Sequence, residues 1–147
     1  MPTRPSHLPM RLISGAFILN SGLSKRNPDP ETAAYLHSEA SRAFPMLKDM
    51  DPQDFTRILS NGELAVGTVL LLPFVPSSVA GAALTGFSSG LLRLYFTNPD
   101  ARMDDGIRPT PQGIPMAKDS WLLGIGLGLL LDGLKPKPMR RRKRRKG

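Results

Sequence analysis

Apolar positions concentrate in four places along the chain, and the densest lies between Glu63 and Arg93. There LAVGTVLLLPFVPSSVAGAALTGFSSGLL runs for 29 residues without a charge. About 20 predominantly apolar residues cross a bilayer as a helix, so this stretch is too long for one straight span. Its middle reads Pro73-Phe74-Val75-Pro76-Ser77-Ser78. Two prolines remove two backbone donors and disfavour helix just before each ring, and the serines suit the cap of a following helix. The pattern predicts a helical hairpin, one arm ending near Phe74 and the other running from Ser78 to about Phe96. Asp51-Pro52-Gln53-Asp54 marks the start of the first arm. Asp51 caps, Pro52 fits the first helical position, and Asp54 faces the positive end of the helix dipole.

Two weaker spans flank the hairpin. LISGAFILNSGL covers Leu12 to Leu23, and WLLGIGLGLLL covers Trp121 to Leu131 with apolar flanks from Ile114 to Leu134. Gly124, Gly126 and Gly128 lower helix propensity in water, but within a membrane such residues let helices approach closely. Gly15, Gly22, Gly81 and Gly86 fit the same habit. The first segment has some features of a signal peptide. Asn20 and Lys25 interrupt it, however, and no A-x-A-like site follows, so it is expected to be a retained span. The connections 26–51 and 97–113 are polar. The first contains an amphipathic pattern from Glu31 to Leu47, with Ala33, Leu36, Ala40, Ala43, Phe44 and Leu47 at helical spacing. It is expected to rest on the bundle end or the lipid interface. The fold expected is therefore all-α: an integral membrane four-helix up–down bundle over residues 1–134, with an additional amphipathic helix in the first connection. Its spans fall at about 8–24, 56–74, 78–97 and 115–134, and a basic tail occupies 135–147.

Charge sharpens this picture. The 147 residues carry a formal charge of +8, yet nine basic residues sit in 135–146 and the remaining body is close to neutral. That is not the distribution of a uniformly basic nucleic-acid binder. No aromatic side chain is interleaved in the tail to stack on bases, so nucleic acid is not the expected partner. Arg140, Arg141, Arg142, Lys143, Arg144, Arg145 and Lys146 instead read as a topology determinant in contact with anionic lipid. With Arg4 and Arg11 they favour both termini on the cytoplasmic side. There is no Cys and only two His, which excludes thiol chemistry and disulfides and leaves little for a metal site.

The residues also carry a family resemblance. Arg11 to Phe17 followed by Gly22-Leu23-Ser24-Lys25 resembles the opening helix of DoxX-like bacterial membrane proteins. Glu63 with Gly67 and an apolar run resembles their second helix. Ala117-Lys118-Asp119 leading into a Gly-rich apolar helix resembles the start of their last. The resemblance spans roughly 11–134. It implies a multi-pass protein of the bacterial cytoplasmic membrane, a subunit or accessory of a quinone-linked or oxidative-stress redox assembly rather than a stand-alone enzyme. A quinone is then the cofactor to consider, and membrane lipids and membrane proteins are the partners. Two other readings stand beside it: a structural subunit docking a partner through 26–51 and the tail, and a small-molecule carrier.

Candidate chemistry is sparse. No Ser-His-Asp motif is legible, Gly124-Ile125-Gly126-Leu127-Gly128 lacks the spacing of a dinucleotide fingerprint, and Ala101 to Gly106 lacks that of a calcium loop. The stronger signal is topological. Alternating spans bring Lys25, Glu63, Arg93, Lys118 and Asp119 to one face of the bundle, with Asn20 about one turn deeper. This polar cluster is either a set of interfacial ion pairs or a pocket for an anionic or quinone-like ligand. Tyr95, Phe96 and Trp121 are expected at a similar height as an aromatic belt. At the opposite face Arg11 and Asp132 are expected to pair.

Overall fold

A computed structural model describes residues 4–135. Among them the chain is helical throughout its regular structure: α1 (Leu8–Ser24), α2 (Pro30–Ala43), α3 (Pro52–Leu71), α4 (Ser77–Thr97), α5 (Ile114–Ala117) and α6 (Asp119–Leu134). The basic tail beyond Lys135, and with it the expected lipid-contact residues, lies outside the described residues.

Local chemistry sets the ends. Asp51 accepts from the amides of Gln53 and Asp54, and Pro52 opens α3 where its missing donor costs nothing. Asp29 and Pro30 do the same for α2, with Asp29 accepting from Thr32. α3 stops at Leu71 instead of reaching Phe74, because Pro73 drives Leu72 into an extended conformation with ψ 113°. The helix expected over Glu31–Leu47 divides likewise. Phe44 precedes Pro45 and is extended, so α2 ends at Ala43 and a 3-10 turn continues from Pro45 to Leu47. The expected serine cap of α4 is replaced by Pro76, which has no capping side chain, and Ser77 turns inward.

The helices pack as two pairs, α1 on α3 and α4 on α6. Ile18, Leu70, Ala80, Leu84 and Leu129 join the pairs in one apolar core. Small residues let each pair close. A Cβ on Gly67 would stand 2.8 Å from the backbone nitrogen of Leu19, and Gly126 has the same relation to Thr85. Gly81 lies equally close to the backbone of α6, whereas Gly124 and Gly128 face open space. Of the three glycines in the GIGLG run, only the middle one seats a helix. α2 lies across α3 and α4, burying Ala33, Ala40 and Ala43.

Polarity is distributed against the rule for a water-soluble bundle. Arg11, Ser14, Thr56, Ser60, Glu63, Ser77 and Ser88 are buried, while Ile13, Phe17, Ile58, Phe74, Trp121 and Leu131 are each more than 60% exposed. One helical stretch among the described residues, Ile114–Leu134, is long and apolar enough to cross a membrane, and little of it is buried. The other three expected spans do not reach that standard, for reasons readable in each. α1 has 17 residues, about 25 Å at 1.5 Å per residue. The first part of α3 carries Asp54, Arg57 and Glu63, and α4 is diluted by Ser and Gly.

Candidate functional site

The face where α1 ends and α3 passes holds a buried ion pair. Glu63 is 4% exposed in the middle of α3, and Lys25 closes α1. Lys25 Nζ donates to Glu63 Oε1 and Oε2 at 3.0 and 3.1 Å and to Ser21 Oγ at 2.5 Å, and Ser21 Oγ donates to Glu63 Oε1 at 3.2 Å. The spacing explains the set: Ser21 and Lys25 are four apart and share one face of α1. Gly22 between them lets α1 settle against α3, where Ser60 Oγ donates to the Gly22 carbonyl at 2.7 Å. All hydrogens of the ammonium therefore find acceptors within the site, which is what a desolvated cation requires.

This pair sits on the wall of a cavity of about 500 Å³ between α1, α2, α3, α4 and α6. The volume suits a small organic ligand. Phe17, Phe44, Phe55 and Phe87 contribute aromatic surface, Gly86 and Gly90 leave the α4 wall bare, and Glu39 and Asp119 add carboxylates to that of Glu63. Glu39 is engaged by Asn98 Nδ2 at 2.9 Å and by Arg42 at 3.2 Å. Asp119 is half-buried at the first turn of α6, and the charges acting on it are those of Glu63 and Lys25.

Lys25, Glu63 and Asp119 thus come together on one cavity. The rest of the expected cluster does not join them. Asn20 and Lys118 are exposed. Arg93 points away: its Nε donates to the Ala43 carbonyl at 2.8 Å and its guanidinium lies 5.0 Å over the Phe44 ring, latching the end of α2 to α4. Consequently the charge balance reverses, from a cation excess in the expected cluster to one lysine among three carboxylates on the cavity. Of the expected belt, Phe96 and Trp121 are exposed, but Tyr95 is buried with its hydroxyl donating to the Ile107 carbonyl at 2.7 Å.

The opposite end corrects a second expectation. Arg11 and Asp132 belong to different networks. The Arg11 guanidinium, 2% exposed, donates to the carbonyls of Leu70, Val69, Leu72 and Val75, where α3 runs out of intrahelical donors. Asp132 is taken instead by Arg4 at 2.6 Å, His7 Nε2 at 2.8 Å and Lys135 at 3.3 Å. His7 is itself buried, and its Nδ1 lies 2.8 Å from Ser77 Oγ. A carboxylate can only accept, so Nε2 carries a proton toward Asp132, and in a neutral ring Nδ1 is left to accept from the Ser77 hydroxyl. Ser77–His7–Asp132 has the bonding order of a nucleophilic triad. With Ser77 3% exposed and Gly133 backed against Ser78, it is a clasp joining the start of α1, the start of α4 and the end of α6. No local spacing announces it, because His7 finds its partners 70 and 125 residues away.

A smaller hydrophilic recess lies between Arg26, Asn27, Arg57, Ser60 and Asn61. Among the described residues no group of three His, Cys, Asp or Glu gathers as a metal ligand set. No protein-family model, no curated protein and no solved structure matches the chain.

Proposed function

We propose that the protein is an integral membrane bundle with four spans, formed by α1, α3, α4 and α5–α6, that binds a small amphipathic molecule in the cavity between them. The observation that carries this reading is the inverted polarity: guanidinium, carboxylate and hydroxyl groups inside, large apolar side chains outside. In water such an arrangement forfeits the transfer energy of the exposed side chains, about 1.5–3 kcal/mol for each large one. In a bilayer the same surface is solvated by lipid, and interior polar groups are what hold helices together. Both termini lie on the cytoplasmic side of a bacterial inner membrane in this reading, as the basic tail favours. The cavity, apolar along its walls and polar at one end, then acts as a carrier or presenting site within the membrane. Alkaline carbonate extraction tests the reading. Retention in the pellet is expected, and release into the supernatant would overturn it.

A second reading follows the DoxX-like resemblance: a subunit or accessory of a quinone-linked redox assembly. What favours it is the cavity itself, whose aromatic walls and volume of about 500 Å³ suit a flat, largely apolar ring. Purification in mild detergent with a partner protein and extractable quinone would support this reading.

A further inference from the structure

The charge on the cavity narrows the ligand class, an inference that rests on the cavity being a ligand site in a membrane bundle. Lys25 is fully committed to Glu63 and Ser21, so it offers no unspent positive charge. Glu39 is matched by Arg42 and Asn98. Asp119 differs. Among the described residues its carboxyl takes part in no hydrogen bond or ion pair, and of the two charges acting on it the carboxylate of Glu63 outweighs the ammonium of Lys25, which is already paired. A half-buried carboxylate therefore borders the cavity without a cation of its own. The rings of Phe17, Phe55 and Phe87 line the same cavity. Aromatic faces attract a cation through their quadrupole, and more strongly once water is excluded.

We propose that the cavity binds a lipophilic cation, an apolar body carrying one delocalised or amine positive charge, with Asp119 as its counter-charge. An anion would meet three carboxylates and one lysine already paired. A neutral molecule would fill the space but leave the Asp119 carboxylate with only the α6 dipole and no counter-charge. A lipophilic cation answers both demands, since its apolar groups lie on the phenylalanines while its charge faces Asp119. The bare wall at Gly86 and Gly90 leaves the room, because a Cβ at either position meets nothing within 4 Å.

The test uses the full chain in phosphatidylcholine nanodiscs, with empty nanodiscs subtracted, and calorimetric titration of three probes: tetraphenylphosphonium, tetraphenylborate and decylubiquinone. These supply similar apolar bulk with positive, negative and no charge. Saturable binding of tetraphenylphosphonium at one per chain is expected, with tetraphenylborate at least tenfold weaker. D119N should weaken the cation at least tenfold and D119E should retain it. G90L, which fills the bare wall without a backbone clash, should reduce binding of any probe that enters the cavity. Equal or tighter binding of tetraphenylborate, or unchanged cation affinity in D119N, overturns the cation assignment. If decylubiquinone alone binds and G90L abolishes it, the cation assignment falls while the ligand-site reading stands. If no probe binds saturably, both fall.

Discussion

Glu63 shows how much one side chain can organise and how much of that is visible beforehand. Its position at the head of an uncharged run marks it as a group needing a partner, and Lys25 is one of the cations that helix alternation brings near. Which cation wins is decided by side-chain reach: Lys118 is exposed and Arg93 is drawn off by Ala43 and Phe44, contacts that no sequence spacing encodes. Glu63→Gln should strand the ammonium of Lys25 and lower stability by about 3–5 kcal/mol, the usual cost of breaking a buried pair from one side. Thermal unfolding in detergent measures it. Adding Lys25→Met to that variant should recover part of the loss, whereas adding Lys118→Met should recover none. Equal recovery by both would mean that the pair is not the unit holding α1 to α3.

At the scale of elements, helix boundaries follow the prolines and caps closely, because those signals are local. The helix contacts were legible only in part. Small residues announce close packing but not which of them faces a neighbour. Gly126→Val or Gly81→Val should force α4 and α6 apart at a cost of about 1–3 kcal/mol or more, while Gly124→Ala and Gly128→Ala, which point into open space, should be neutral or stabilise by up to about 1 kcal/mol. A thermal series across the four variants distinguishes the two faces of α6. The cap of α2 carries a pH signature. Hydrogen bonds from the Thr32 hydroxyl and amide hold the Asp29 carboxyl below its ordinary value. A depressed folded-state value means that the contribution is present above the ordinary carboxylate range and is lost as pH falls through the folded value. α2 should therefore loosen in acid, and Asp29→Asn should make that step independent of pH. Amide hydrogen exchange in residues 32–36 would report it, and an unchanged acid profile in the variant would assign the loosening to another group.

For the molecule as a whole, the all-helical architecture was within reach of the sequence because the 29-residue uncharged run and its two prolines demand a hairpin of helices. Its pairing into α1·α3 and α4·α6 was not, nor was the His7 clasp, since both depend on shape complementarity between distant segments. The proposed topology makes a direct prediction. Cysteines introduced at the exposed positions Ser6 and Ser38 should react with an impermeant thiol reagent from opposite sides of the membrane. Labelling of both in intact cells would contradict the four-span arrangement.

In the four-span arrangement proposed above, the grip of Arg11 on the end of α3 has a consequence for biogenesis. A ribosome delivers α1 first, and the Leu70 carbonyl that receives the guanidinium follows 59 residues later in the chain. Until then α1 is a short segment carrying a bare cation, a burden of up to about 2.5–3.5 kcal/mol for partition into lipid. The helix is thus expected to wait at the translocon or the headgroup layer and to enter the bilayer together with the α3–α4 hairpin. Protease protection of nascent chains should find α1 accessible when synthesis is halted before Pro52 and shielded once Thr97 has emerged. Arg11→Leu should be shielded at both lengths, at the expense of a looser finished bundle. The order of insertion would then be written into the side chain that locks the finished fold.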